Sequence, residues 1–134
     1  MRIVLAVFLS IAAIALFVSL QCTAKAISPS SIAASPYLIE RVKNNEWLLI
    51  DVRPADDFKQ GHIPGAINMP HENIDDYLTQ LSDYKDKPIV IYCRSGNKSK
   101  LTIKMLQNLD FSDVMHLEGD MLGWSASRLP IERM

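Results

Sequence analysis

Cys93 is the residue of this chain best placed to do chemistry. It follows the apolar run Pro88-Ile-Val-Ile-Tyr92 and precedes the short polar loop Arg94-Ser-Gly-Asn-Lys98, after which helix-forming residues begin. Ile89, Val90, Ile91 and Tyr92 are β-branched or aromatic and predict a buried strand, with Pro88 tolerated at its start. Cys93 then lies at a strand's carboxyl end, the side of an open α/β sheet on which ligands bind. The N–H groups of a tight loop and of a helix N-terminus make the local field positive and favour the thiolate, the nucleophilic form. Arg94 and Lys98 add positive charge able to hold an anion, and Gly96 suits positive φ and close backbone approach. Ser99 is expected to cap the helix Lys100–Leu109. A cysteine closing a buried strand is more often an inert small hydrophobe. The glycine, the cap and the two cations gathered beside this one point instead to a nucleophile.

Cys93-Arg-Ser-Gly-Asn-Lys-Ser99 resembles the active-site loop of the rhodanese sulfurtransferases, and two further stretches match that family in the same order. They are Leu49-Ile-Asp51-Val-Arg53, with Phe58 shortly after, and Gly61-His-Ile-Pro-Gly65-Ala-Ile-Asn68-Met-Pro70. The likeness runs from about Pro36 to Pro130, and three ordered motifs are far more specific than a Cys-x-x-Gly loop alone. The resemblance implies a rhodanese-like three-layer α/β domain, a central parallel sheet with helices on both faces. It also implies that Cys93 takes a sulfane sulfur from a small anionic donor such as thiosulfate, becomes a persulfide and hands the sulfur to a thiol or cyanide acceptor. Arg94, Ser95, Gly96, Asn97, Lys98 and Ser99 would bind the substrate, and no cofactor or metal is implied. In one place the chain departs from the family. Many members carry a Gly-Gly pair before the last helix, followed by a Trp, whereas here the stretch is Leu117-Glu-Gly119-Asp120-Met-Leu-Gly-Trp124. Asp120 is expected to cap that helix, since an acidic residue in a first turn is ordinary.

Two other activities compete. Dual-specificity phosphatases of the cell-division-cycle type resemble this fold but place an arginine sixth after the cysteine to clamp phosphate. Ser99 stands there in this chain, and Lys98, one place earlier, is a point charge that does not replace a planar fork. A phosphatase-like enzyme is therefore the weakest expectation. A sulfane-sulfur carrier or thiol redox sensor without efficient turnover is the main alternative, suggested by a lone exposed thiol and by Asp120.

The nucleophile needs a scaffold, and the rest of the chain reads as one. Trp47–Val52 is a near-continuous apolar run suited to a parallel strand buried on both faces. At its end, Asp51 and Arg53 are read as structural support, Asp51 accepting backbone N–H groups and Arg53 paired with a carboxylate such as Asp57. Ser35-Pro36 predicts the start of a helix over Tyr37–Lys43, ended by Asn44-Asn45; Glu72–Leu81 reads as helix and Asp113–Leu117 as strand. His62 falls in a turn stretch that shapes the loop between Gly61 and Gly65. His62, His71 and His116 are too scattered for a metal motif. Met105, Met115 and Met121 read as core filler.

The 134 residues suffice for one domain and an N-terminal appendage. In that appendage Arg2 precedes the uncharged apolar run Ile3–Leu20, and Ala24-Lys-Ala26 follows. A positive start, an apolar middle and an Ala-x-Ala site make residues 1–26 a signal peptide, or an uncleaved anchor given the length of the run. Residues 27–34 read as linker and 35–134 as the domain. Leu20 and Gln21 before Cys22 are not the small residues that lipoprotein processing prefers. The expected location is the periplasm, or the inner membrane facing it if the anchor stays. Loss of residues 1–26 removes Arg2, Lys25 and Cys22 and no acidic residue, taking the net charge from −1 to about −3. That balance excludes nucleic acid as a partner and leaves Cys93 without an internal disulfide partner.

Overall fold

The computed structural model describes residues 31–134. Residues 1–26, expected as a signal peptide, with Cys22, and residues 27–30 of the expected linker lie outside the described residues. Five parallel strands form one sheet in the order β1-β5-β4-β2-β3. They are β1 (Ser31–Ile32), β2 (Leu48–Asp51), β3 (Ile67–Asn68), β4 (Ile89–Tyr92) and β5 (Val114–Leu117). The helices are α1 (Pro36–Lys43), α2 (Ala55–Gln60), α3 (Leu78–Leu81), α4 (Asn97–Asn108) and α5 (Asp120–Ala126).

Alternation along the buried strands divides the core in two. Leu48, Ile50 and Val52 from the β2 strand, with Ile89, Ile91 and Cys93 from β4, pack against Ile103 and Leu106 of α4 and against Ile74 and Leu81. Leu49, Val90, Tyr92, Met115 and Leu117 face the other way, onto Leu38 and Ile39 of α1 and Met121 and Trp124 of α5. Helices thus cover both faces of the sheet, which is the expected three-layer architecture. β4 is the middle strand of the five, so Cys93, one residue past its end, stands at the centre of the sheet's carboxyl edge.

The strands at 48–51, 89–92 and 114–117 and the helix at 36–43 fall where their sequence patterns place them. Two features differ. The stretch expected as one helix over Glu72–Leu81 is a 3₁₀ segment, His71–Tyr77, followed by the single turn α3; Asn73 leaves helical geometry at φ −119°. Asn73, Asp75 and Asp76 crowd that stretch, and such side chains favour turns over helix interiors. Ser31 and Ile32, assigned to the linker, instead form edge strand β1, with Ser31 opposite His116 and its hydroxyl on Glu118 at 2.7 Å. Two-residue strands such as β1 and β3 are too short to carry a period and are made by their neighbours.

Candidate active site

Cys93 is 4% exposed, so the thiol expected to be exposed is buried against the α4 face, and the α4 helix begins four residues after it. Gly96 makes the turn with φ +112°, an angle that glycine alone adopts freely, and so brings its N–H to 3.1 Å from the Cys93 sulfur. Gly96, not Ser99, is the N-cap of α4, because the helix starts at Asn97 and draws Ser99 into its first turn. Ser99 is fully buried there. Its hydroxyl lies 3.5 Å from the Cys93 sulfur, 2.9 Å from Asp120 Oδ1 and 3.2 Å from the Gly96 carbonyl.

Asp120 does not cap α5. Gly119 is the N-cap, at φ +78°, and the Asp120 side chain makes no capping bond. It turns back beneath the loop instead, where its Oδ1 accepts the Cys93 backbone N–H at 2.9 Å and its Oδ2 meets His116 Nε2 at 2.8 Å. The first amides of the α5 helix are spent on the same loop: Met121 N–H donates to the Cys93 carbonyl at 3.0 Å and Leu122 N–H to that of Arg94 at 3.2 Å. Both the N–H and the carbonyl of Cys93 are therefore fixed by α5.

The remaining loop residues separate. Ser95 and Asn97 are exposed. Lys98, expected to hold an anion, is paired with the Glu72 carboxylate at the surface, and that pairing holds Glu72 below the usual carboxylate range. Arg94 is exposed and borders a cleft of about 310 Å³ together with Arg53, Leu122, Ile131 and Arg133. Cys93 does not line that cleft, since alternation sends its side chain to the α4 face. Neither Arg94 nor Arg133 has an ion-pair partner among the described residues.

Asp51 and Arg53 pair with each other, where Asp57 was the expected partner of Arg53. The Arg53 backbone N–H and Nε both reach Asp51 Oδ1 at 2.9 and 3.0 Å, and Nη2 reaches Oδ2 at 2.6 Å. Burial opposes the guanidinium's charge, yet hydrogen bonds and the field of Asp51 outweigh it and hold Arg53 above its ordinary value. Asp57 contributes only at longer range. Arg53 also bonds the Gly61 carbonyl at 2.7 Å and lies over the Tyr92 ring. Burial, then Asp51, pushes the Tyr92 phenol up, so it stays neutral and accepts the Ile63 N–H at 3.1 Å. His62 stacks on Phe58 and bonds its carbonyl, shaping the turn as expected. His71 bonds Thr102 Oγ1 at 2.8 Å. Met115 and Met121 are buried in the core and Met105 packs against it.

Comparison with known proteins accords with this geometry. The model of the rhodanese-like domain matches residues 35–127. The chain belongs to the rhodanese-like family. An uncharacterised Escherichia coli protein, YibN, is 34% identical over 128 residues, covering 93% of this chain and 90% of YibN. A sulfurtransferase of Allochromatium vinosum is 34% identical over 98 residues, covering 72% of this chain and 90% of that one. Among solved structures, a rhodanese-related protein from Thermoplasma volcanium superposes with a TM-score of 0.66 at 26% identity, covering 78% of this chain and 98% of that chain. A thiosulfate sulfurtransferase from Pseudomonas aeruginosa gives 0.69 at 25%, covering 78% of this chain and 20% of the other. Within this rhodanese-like domain, His116 and Asp120 are the site residues that the sequence did not reveal. The available signal was a carboxylate in place of the family's second glycine, four residues after a histidine.

Proposed function

We propose that this rhodanese-like protein is a sulfurtransferase that moves a sulfane sulfur from thiosulfate, or a similar anionic donor, to cyanide or a thiol through a Cys93 persulfide. The observation that carries the proposal is the Cys93 sulfur at the centre of the sheet's carboxyl edge, with the Gly96 N–H donating to it at 3.1 Å beside the first turn of α4. The Cys93 thiolate attacks the outer sulfur of thiosulfate; the donor's S–S bond breaks and sulfite leaves with its electron pair. Cyanide then attacks the outer sulfur of the persulfide, thiocyanate leaves, and the thiolate returns. Arg94, the residue after Cys93, supplies positive charge at the neighbouring cleft.

The test is to give the purified full chain thiosulfate and then cyanide and to assay thiocyanate, for wild type and Cys93→Ser. Thiocyanate from the wild type alone is expected, and equal output from both would overturn the assignment. Burial of Cys93 favours a second reading, a carrier that holds sulfur without turnover, over a redox sensor, whose thiol must be open to oxidants. Mass spectrometry separates the two, because a carrier keeps an added sulfur on Cys93 that no thiol removes. Ser99 at the sixth position, hydrogen-bonded to Asp120, weighs against phosphatase chemistry. Export to the periplasm is part of the same proposal, tested by fractionating cells that express the full chain.

A further inference from the structure

Asp120 is 1% exposed and sits at φ +51°, so a carboxylate is both buried and held at an angle that L side chains rarely adopt. Such a residue persists only where its surroundings over-determine it, and strain of this kind clusters at functional sites. Three donors meet it: the Cys93 backbone N–H and the Ser99 hydroxyl on Oδ1, both at 2.9 Å, and His116 Nε2 on Oδ2 at 2.8 Å. Lys100 approaches from α4, its Cε 3.7 Å from the point that a Gly96 Cβ would occupy, itself 3.1 Å from Asp120 Oδ2. Cys93 from the end of β4, Lys100 from α4 and His116 from β5 are the titratable and charged groups that face Asp120.

A hydroxyl has one proton to give. The carboxylate at 2.9 Å takes it in preference to the Gly96 carbonyl at 3.2 Å, because a charged acceptor makes the stronger bond. Ser99 is then left with lone pairs toward the Cys93 sulfur, 3.5 Å away. It can accept the S–H of the thiol and has nothing to donate to a thiolate, in opposition to the Gly96 N–H. We propose that Asp120 is a positioning residue for the Cys93 nucleophile, turning Ser99 into an acceptor that holds the sulfur as a thiol while His116 Nε2 hydrogen-bonds the other carboxylate oxygen. The proposal rests on Cys93 being the reactive sulfur assigned above.

Alkylation of Cys93 by iodoacetamide, followed on the Cys93 peptide by mass spectrometry across pH, reads this directly in the full chain and needs no sulfur donor. With Asp120 present, Ser99→Ala removes an acceptor from the thiol and lowers the pH midpoint of alkylation. In an Asp120→Gly background the Ser99 proton is free to reach the sulfur, so Ser99→Ala raises the midpoint. Each shift is about 0.5–1 pH unit, the size that a hydrogen bond of ordinary net strength produces. A reversal of sign between the two backgrounds is expected; the same sign in both overturns the proposal. Should Asp120→Gly fail to fold, Asp120→Asn retains an acceptor for the Cys93 N–H and removes the charge. It lowers the midpoint, and an unchanged midpoint overturns the proposal. Failure to form thiocyanate from thiosulfate would count against the sulfurtransferase assignment and leave the alkylation result standing.

Discussion

At the scale of single residues, the site depends on side chains that are buried, charged and mutually satisfied. Asp51 is wholly buried and its carboxylate is held by Arg53 from the next turn of chain. Removing one partner of such a pair leaves an uncompensated buried charge, which costs several kcal/mol. Arg53→Ala is expected to lower the free energy of unfolding by about 3 kcal/mol in urea titrations. Arg53→Lys should recover only part, since an ammonium cannot span both carboxylate oxygens. A loss below about 1 kcal/mol for Arg53→Ala would place the pair among weakly coupled surface ion pairs. Lys98 illustrates the reverse case. A cation in the right loop is committed to Glu72 at the surface, where exposed ion pairs contribute little.

At the scale of elements, the β4–loop–α4 unit converts one glycine's freedom into a hydrogen bond on the nucleophile. A Cβ at Gly96 would lie 3.1 Å from Asp120 Oδ2 and would have to tolerate φ +112°. Gly96→Ala is therefore expected to cost about 1–2 kcal/mol of stability. Activity should fall further than stability alone explains, because the strain pulls the amide off the sulfur. Loss of about 1.4 kcal/mol of that contact in the transition state lowers kcat/KM for thiosulfate roughly tenfold. Steady-state kinetics set beside thermal unfolding of the same variant distinguish the two effects. Kinetics equal to wild type would mean that the Gly96 amide does not serve the reacting sulfur.

At the scale of the whole molecule, the C-terminal segment completes the cleft beside the site. Trp124 Nε1 holds the Pro130 carbonyl at 2.8 Å, His62 and Glu132 exchange backbone bonds at 2.9 Å, and Met134 N–H reaches the Lys59 carbonyl at 3.1 Å. These contacts bring Arg133 to the same cleft as Arg94. Arg94 and Arg133, without ion-pair partners among the described residues, outnumber the Asp57 carboxylate that lines the same cleft and attract an anionic donor through ground-state binding, so neutralising both should raise KM for thiosulfate and leave kcat little changed. The rise should shrink with salt as the Debye length contracts from about 10 Å at 0.1 M to 3 Å at 1 M. An Arg94→Ala/Arg133→Ala variant with wild-type KM at low ionic strength would assign donor binding to the backbone cradle alone.

The sequence by itself determined the central strands, the end of β4 as the place of Cys93 and the turn at Gly96. Each of these follows from local rules: β-branched runs, two-residue alternation and a glycine where φ must be positive. Alternation also sends Cys93 to the α4 face with Ile89 and Ile91. Tertiary structure alone decided the rest. Asp120 reaches the Cys93 amide across 27 positions, Lys98 meets Glu72 across 26, and Arg133 comes to Arg94 only when the C-terminal segment docks on His62 and Trp124. Asp120 reads locally as a helix cap, and only the docking of α5 beneath the loop turns its carboxylate toward the sulfur. Such partners are chosen by how packed elements place distant side chains, and no periodicity or local preference encodes that choice.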